Sequence, residues 1–312
     1  MSAVPAAIAG AEAPPAFLIG AGRSGTTLLY KLLCLHPDVA YISNYDKWLP
    51  ALVSGTLMRR LRPGIADKLG NWFNAEGNAY FVERPMRQRF VATPVEGEFL
   101  YERCGVPLFP KADEVLSEAV NRRLRDAFAR IRRDRDAQIM LSKRTANNRR
   151  LPQIEAAFPQ ARYVYLTRDG RDVARSLARV EWWADHPIWW DGRAAKDIEA
   201  TGVPRPHLCV ENWLREVEAL QASLSHVDPA RVLPLKFETL LANPIETLNQ
   251  ILSFLDLPAA DGYEGAIAAL ALDSKTYRPR DWSDLEDDAL RQRGDALLAD
   301  LGYAPGADHS AG

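Results

Sequence analysis

A glycine-rich turn between an apolar strand and a leucine-rich helix constrains this chain more than any other feature. The turn spans residues 20–25, follows an apolar run at 16–19 and is followed at once by leucines at helical spacing in 26–35. Glycines let the backbone approach an oxyanion closely, and the N–H groups and dipole at a helix start favour negative charge. The segment predicts an anion-binding loop; the alternative is a turn that needs glycine only for its own backbone.

The rest of the chain alternates strand patterns with helical ones. Apolar strands are predicted at 16–20, 41–43, 138–142, 162–167 and 232–237. Helices are predicted at 26–35, 113–133, 147–158, 170–180, 208–224, 238–255 and 284–301, with short helices and loops over 47–110. Strands separated by helices pair in parallel and are covered on both faces. The sequence therefore predicts the α/β class, with a central parallel sheet in a three-layer α/β/α arrangement.

The length of 312 residues suits one large unit with a single core. We expect a flexible leader at 1–15, one domain at 16–303 and a flexible tail at 304–312. Four tryptophans lie among glycines and prolines in a stretch at 181–206 that has the character of an insertion into this domain.

Composition excludes several classes of protein. Hydrophobic residues make up 47% of the chain and charged residues 26%, and no apolar run approaches the roughly 18 residues of a membrane span, so stable membrane insertion is not expected. The net charge is −2, which does not support a nucleic-acid-binding surface. Arginines account for 31 of the 39 basic residues, which suits phosphate recognition but also follows from genomic base composition alone.

The cysteines and histidines predict neither disulfides nor a metal site. Cys34, Cys104 and Cys209 are odd in number and far apart, and the five histidines show no ligand spacing with them. The first 16 residues carry no Lys or Arg before their weak apolar stretch, unlike a secretory signal. A reducing compartment fits, and we expect a cytoplasmic protein without a metal.

Two established nucleotide loops match the glycine-rich turn only in part. Gly20, Gly22 and Gly25 satisfy the dinucleotide pattern G-x-G-x-x-G, and Asp46 lies somewhat beyond the usual position of a ribose-binding acid. As a nucleoside-triphosphate loop, the turn has the right glycine spacing but carries Thr26 where a lysine should follow. A nicotinamide-dependent oxidoreductase is therefore one hypothesis, and a kinase is disfavoured.

A third interpretation accounts for the polar residues of the loop. Arg23 can face the anion while the hydroxyls around it add donors. The run Arg-Ser-Gly-Thr-Thr-Leu, followed by a leucine-rich helix and His-Pro-Asp-Val, resembles the 5′-phosphosulfate loop of sulfotransferases that use 3′-phosphoadenosine 5′-phosphosulfate (PAPS). This is the group that includes tyrosylprotein and carbohydrate sulfotransferases. The resemblance implies a P-loop-like fold and a donor site formed by Gly22, Arg23, Ser24, Gly25, Thr26 and Thr27.

A second segment, at 158–176, resembles the 3′-phosphate element of the same family. There, an arginine at a strand end and a serine eight positions later bind the 3′-phosphate, which corresponds to Arg168 and Ser176. Lys143 begins a run similar to the family's strand-end lysine motif. The stretches 211–213, 237–240 and 243–255 extend the resemblance to roughly 16–258, although Phe237 replaces the usual tyrosine.

The resemblance implies transfer of a sulfuryl group from PAPS to a hydroxyl, or else an amine, of a small molecule, glycan or lipid. Negative charge grows on the departing phosphate, so fixed positive charge should supply much of the catalysis. Arg23, Lys143 and the loop amides are the candidates. Lys275 and Arg278 lie where the family often has a basic loop over the nucleotide, or else form a solvated turn. A nucleotide-binding protein without catalysis remains an alternative.

The general base is the least constrained part of this hypothesis. The glutamate that commonly serves in the family falls at Asn44. Asp46 lies two residues on, at the end of the predicted second strand, where an extended chain would point both side chains the same way. We therefore predict Asp46 as the base, with His36, Glu83 or no base as the alternatives.

The tryptophan-rich insertion is expected on the acceptor side of the site. Its four indole rings, at positions 182, 183, 189 and 190, either form a lid that stacks on the acceptor or are buried in the core.

Overall fold

Five strands form one parallel sheet in the middle of the molecule. In this computed structural model the described residues are 13–48, 63–73, 92–110, 114–272, 281–282 and 285–304. The strands are β1 (Ala16–Ile19), β2 (Val39–Tyr41), β3 (Ile139–Lys143), β4 (Arg162–Thr167) and β5 (Val232–Lys236), in the order β2-β3-β1-β4-β5.

The topology of the sheet places a crevice at the end of β1. This strand lies between β3 and β4, so that Ala16 is opposite Leu141 on one side and Arg162 on the other. From β1 the chain crosses to β2, returns through β3 and then continues on the other side with β4 and β5. Ligands of open α/β sheets bind outside the carboxyl ends of the strands where the order reverses. The glycine-rich loop, the end of β3 and the end of β4 meet there.

Helices cover both faces of the sheet. The α-helices are α1 (Thr26–Leu35), α2 (Asn44–Trp48), α3 (Ile65–Trp72), α4 (Glu98–Cys104), α5 (Glu118–Asp134), α6 (Leu151–Ala157), α7 (Gly170–Ala178), α8 (Ala195–Glu199), α9 (Arg205–Leu224), α10 (Phe237–Ala242), α11 (Pro244–Phe254), α12 (Tyr263–Ala269) and α13 (Asp288–Asp300). Short 3₁₀ turns are found at Thr145–Arg149, Glu181–Trp183 and Pro229–Arg231.

The alternation of side chains along β1 builds two apolar cores. Ala16 and Leu18 pack with α1, α3, α11 and α12 on one face. Phe17 and Ile19 point to the other face and pack with α4, α5 and α6. All four β1 residues are buried, as expected for a strand covered on both sides. The predicted three-layer α/β/α fold is thereby confirmed.

A third apolar cluster lies beside the sheet and carries the tryptophan-rich segment. Helices α7, α9 and α13 contribute to it, together with the fully buried ring of Trp183 and the side chain of Ile188. Trp213 of α9 packs so closely on Gly170 that a Cβ there would lie 2.4 Å from the indole. The segment between α7 and α9 is thus packed against the domain on its inner side.

Most predicted elements are present, with informative differences in extent. Strand β4 and helix α1 have the predicted bounds, and β2 begins two residues earlier than predicted. The helix predicted at 238–255 is two helices, because Asn243 precedes Pro244 and leaves the helical conformation. Helix α5 begins at 118 because the Ser117 side chain caps it. The helix predicted at 147–158 starts as the 3₁₀ turn and continues as α6.

Candidate active site

Two glycines of the loop are required by both conformation and packing. Gly25 has φ +86° and ends the loop, and a Cβ on it would lie 2.2 Å from the Phe237 ring. A Cβ on Gly20 would lie 2.3 Å from the carbonyl oxygen of Leu166. Among the described residues no side chain caps the start of α1, and no acidic residue lies in its first turn. The helix start therefore offers its N–H groups and dipole to an anion.

Asn148 fixes the end of β1 from the 3₁₀ turn that follows β3. The Gly20 N–H donates to Asn148 Oδ1 at 3.2 Å, and Asn148 Nδ2 donates to the Gly20 carbonyl at 2.9 Å and to Glu216 Oε2 at 3.2 Å. All of these atoms are buried, so the bonds hold the first residue of the loop at a defined position. Sequence reasoning missed Asn148. The local feature that could have drawn attention to it is its position directly after the lysine motif that begins at Lys143.

Three predicted donor-site residues meet at the sheet edge. Arg23 Nε donates to Ser176 Oγ at 3.0 Å, and Arg168 Nη1 donates to the Arg23 carbonyl at 3.1 Å. The guanidinium of Arg168 lies 4.9 Å from the centre of the Phe237 ring and 3.6 Å from Asp172 Oδ2. Its buried Nε has no hydrogen-bond partner among the described residues. Two guanidinium groups and a hydroxyl thus converge beside the loop, as phosphate binding requires.

The lysine at the end of β3 lies on the other side of the loop. Lys143 is almost fully buried, and its Nζ donates to Thr27 Oγ1 at 3.3 Å. The same ammonium forms an ion pair with Glu96. Lys143 therefore connects the phosphate loop to a carboxylate on a different segment of the chain.

A cavity of roughly 480 Å³ opens between these groups and the tryptophan-rich segment. Its inner side contains Gly22, Arg23, Thr26, Thr27 and Lys143. Its outer wall contains Leu108, Phe109, Trp182, His186 and Pro187. Phe109 is 45% exposed and Trp182 51% exposed, so large apolar faces border the cavity.

Charged pairs also line the cavity. Arg149 forms an ion pair with Glu216, and its guanidinium lies 5.3 Å from the Phe109 ring centre and 5.2 Å from that of Trp189. Burial and the nearby Arg149 lower the pKa of His186, which favours its neutral form at neutral pH. Sequence reasoning missed Arg149, Glu216 and Phe109, because nothing in their local pattern distinguishes them from surface or core residues.

The geometric reason for choosing Asp46 as the base is wrong. Residues 44–48 form helix α2, so Asn44 and Asp46 are not on one side of an extended chain. Asp46 is only 8% exposed, and its Oδ2 accepts from the Ser43 N–H and hydroxyl at 2.7 Å and from Arg135 at 2.5 Å. It does not line the cavity. Its position therefore supports a role in stability instead of proton transfer.

The first alternative base, His36, is buried, and both of its ring nitrogens are engaged in hydrogen bonds. Its Nδ1 accepts from the Asp38 N–H at 3.1 Å, and its Nε2 donates to the Pro258 carbonyl at 3.0 Å. The imidazole is fully buried at the end of α1, where it serves as a structural cap. Three further predicted residues lie outside the described residues: Glu83, Lys275 and Arg278.

Neither a metal-ligand cluster nor a membrane-spanning helix is found among the described residues. No group of three or more His, Cys, Asp or Glu side chains in this part of the chain could hold a metal ion. No helix in it is both long and apolar enough to cross a membrane. That no metal takes part stays a prediction.

Comparison with known proteins identifies the family. A model described as "Sulfotransferase family" matches residues 14–261, which is most of the chain. The chain belongs to the sulfotransferase family. Its loop, its strand-end lysine and its Arg168–Ser176 element all lie within the matched range.

Individual relatives are distant in sequence. The chain is 21% identical over 252 residues to a protein-tyrosine sulfotransferase of Drosophila melanogaster, which covers 80% of this chain and 39% of the relative. It therefore spans less than half the length of that relative.

Two crystal structures of sulfotransferases share the fold. STF9 from Mycobacterium avium is 14% identical with a TM-score of 0.59, and the match covers 95% of this chain and 78% of that one. STF1 from Mycobacterium tuberculosis is 17% identical with a TM-score of 0.56, and that match covers 92% of this chain and 78% of STF1.

Proposed function

We propose that this sulfotransferase-family protein transfers a sulfuryl group from PAPS to an acceptor hydroxyl. The observation that carries the proposal is the contact between the two phosphate motifs. Arg23 of the loop bonds Ser176 at 3.0 Å, and Arg168 bonds the loop backbone at 3.1 Å. A donor with phosphates at both the 5′ and 3′ positions would place one on the loop and the other beside Arg168 and Ser176.

The two groups of cations suit the two ends of such a donor. The loop N–H groups, Thr26, Thr27 and Lys143 surround the site expected for the 5′-phosphosulfate. As the bond between sulfur and the bridging oxygen breaks, negative charge grows on the departing phosphate. Lys143 is buried, so its charge is poorly screened by water and stabilises that growing charge strongly. Arg168 supplies recognition of the 3′-phosphate through its guanidinium, whose buried Nε has no hydrogen-bond partner among the described residues.

The acceptor enters from the aromatic side of the cavity. Phe109 and Trp182 present exposed faces there, and the cavity of roughly 480 Å³, whose inner end the phosphosulfate of the donor would occupy, leaves its aromatic end for a small molecule or a single side chain. We propose a hydroxyl carried on a flat or ring-shaped group, and a phenol is the first candidate because the Drosophila relative is named for tyrosine. The cytoplasm is the proposed compartment, supported by three buried cysteines without disulfides.

Thermal denaturation with three nucleotides tests the donor. Adenosine 3′,5′-bisphosphate should raise the melting temperature, because a ligand at a hundredfold excess over its Kd stabilises the folded state by about 2.7 kcal/mol. NAD and ATP at the same concentration should have little effect. A protein stabilised by NAD alone would contradict the proposal.

Turnover then separates an enzyme from a protein that only binds nucleotide. Transfer of labelled sulfuryl from PAPS to phenols, sugars and aliphatic alcohols should be detected for at least one acceptor class. The oxidoreductase hypothesis is not favoured, because the acid it needs for the ribose, Asp46, is occupied by Ser43 and Arg135.

A further inference from the structure

Glu96 places a carboxylate in the cavity next to the donor loop. It lies in the segment before α4, which is joined to the end of β2 by a bridge between Ser43 and Pro94. Its side chain is 37% exposed and lines the cavity. Oε1 accepts from Lys143, and Oε2 accepts from Arg144 Nη1 at 2.6 Å. Lys143 is the same residue that donates to Thr27 of the loop.

The other described carboxylate of the cavity is less available. Glu216 is 4% exposed, and both of its oxygens are engaged, one by Arg149 and the other by Asn148. Proton transfer to Glu216 would leave the partly buried Arg149 cation without its counter-charge, which is costly. Glu96, in contrast, is exposed to the cavity. The Lys143 side chain lies between it and Thr27 and contacts both.

We propose that Glu96 is the general base that takes the proton of the acceptor, an assignment that rests on the proposed function. A lone pair of the acceptor oxygen forms a bond to sulfur while the bond from sulfur to the bridging phosphate oxygen breaks. The electron pair of the broken bond stays on the phosphate, and the acceptor proton passes to a Glu96 carboxylate oxygen. The products are the sulfated acceptor, adenosine 3′,5′-bisphosphate and a protonated Glu96.

Through Lys143, the pKa of Glu96 depends on whether donor is bound. Burial alone would raise the pKa of Glu96, but Lys143 and Arg144 outweigh burial and hold that pKa below its ordinary value. Glu96 is therefore a carboxylate at neutral pH, able to accept a proton but weakly basic. A sulfonate bound at the loop competes for Lys143, and as Lys143 turns toward it the basicity of Glu96 rises. The base is strengthened when donor is bound.

Glu96→Gln tests the assignment, because glutamine keeps the shape and a carbonyl acceptor for Lys143 but cannot take a proton. Sulfuryl transfer from labelled PAPS to water and to unsubstituted phenol, whose hydroxyl keeps its proton between pH 5 and pH 8, should fall about a hundredfold or more. Binding of adenosine 3′,5′-bisphosphate, measured by calorimetry, should not weaken by more than about twofold, because glutamine leaves the cations Lys143 and Arg144 in place and removes only their negative partner. Glu96→Asp, which keeps a carboxylate, should recover part of the lost rate.

Glu102→Gln is the matched control, because Glu102 lies exposed on α4 outside the cavity. It should transfer at the wild-type rate.

Two results with the variants would overturn the assignment of Glu96 as the base. One is an equal loss of transfer in Glu96→Gln and Glu96→Asp, and the other is wild-type transfer in Glu96→Gln. If the wild-type protein did not bind adenosine 3′,5′-bisphosphate at all, the proposed function itself would be refuted. A wild-type protein that binds the bisphosphate yet transfers to neither probe would also overturn the role of Glu96.

The pH profile distinguishes Glu96 from His186, the other titratable group of the outer wall. Arg149 and Arg144 face His186, whose pKa is lowered from 6.5, whereas Lys143 and Arg144 face Glu96. A base must be unprotonated, and kcat/KM for PAPS reports the donor-free protein, in which Lys143 and Arg144 hold the pKa of Glu96 below its ordinary value. If Glu96 serves, kcat/KM for PAPS should therefore stay level from pH 8 down to about pH 5. The profile should be unchanged in His186→Gln. The pKa of His186 is lowered from 6.5, so a kcat/KM that falls between about pH 6.5 and pH 5, and loses this fall in His186→Gln, would assign the base to His186.

Discussion

Arg168 is the residue on which we expect recognition of a 3′-phosphate to depend. Its guanidinium lies between the Phe237 ring and Asp172, and its Nε donor is free among the described residues. Arg168→Ala should weaken binding of adenosine 3′,5′-bisphosphate by about 1.5 to 3 kcal/mol, the range for a hydrogen bond to a charged group. Binding of adenosine 5′-monophosphate should barely change. Titration calorimetry with both nucleotides measures the difference.

The control for this substitution is Arg179→Ala, which removes an exposed arginine just after α7. It should leave both affinities unchanged. If Arg168→Ala weakened both nucleotides equally, the substitution would be acting on the loop backbone through the bond to the Arg23 carbonyl, and the assignment to the 3′-phosphate would be wrong.

Asp46 is expected to matter for stability. Its carboxylate joins the start of α2 to Arg135 at the end of α5, and both side chains are nearly buried. Asp46→Asn leaves the Arg135 charge without its partner, so the free energy of unfolding should fall by about 3 kcal/mol. Urea denaturation measures this loss. An unchanged stability together with much slower transfer would restore Asp46 as the base.

At the scale of elements, the segment between α7 and α9 has one side buried in the core and another side at the cavity. Trp183 is fully buried and donates to Glu199 at 3.0 Å, whereas its neighbour Trp182 borders the cavity and is half exposed. Neither alternative for the tryptophans holds for the whole segment. One ring belongs to the core, and another lies on the outer wall of the cavity, where we propose that the acceptor binds.

Adjacent substitutions separate these two duties. Trp183→Ala should lower the free energy of unfolding by about 3 to 5 kcal/mol, as for other buried aromatic truncations. Trp182→Ala should change it by about 0.5 kcal/mol or less, but should raise the KM for an aromatic acceptor. Denaturation and steady-state transfer on both variants give the comparison. A large stability loss in Trp182→Ala would remove it from the acceptor wall.

At the scale of the whole molecule, the three layers sequester every cysteine. Burial raises the pKa of Cys34, Cys104 and Cys209, to about 12 for Cys209, and none forms a disulfide. A raised pKa keeps a thiol protonated at pH 8, where the thiolate is the reactive form. Iodoacetamide should therefore label each site about tenfold or more slowly in folded protein than in urea. Mass spectrometry counts the labels, and rapid labelling of any one cysteine in folded protein would contradict its burial.

The same layered packing explains which elements local sequence patterns predict correctly and which they do not. Periodicity and glycine spacing predicted α1, β4 and the anion-binding loop, because such patterns depend on residues within a few positions of each other. They failed at α2, where a helix replaced the expected strand end. Its start is capped locally by Asp46, but what holds it in place is Arg135, 89 positions away. No local pattern reports such a partner.

The sequence by itself determined the class of fold of this protein, and it marked the glycine-rich loop and the Arg168–Ser176 segment as the two predicted donor-binding motifs. Only the tertiary structure decided what those motifs contact. Arg23 and Ser176 are 153 positions apart, and Lys143 and Glu96 are 47 apart, yet each pair is bonded. Such pairs depend on the order of strands in the sheet and on which loops share its carboxyl edge. Those are set by packing of the whole chain, since each contact forms only when all the intervening elements are in place.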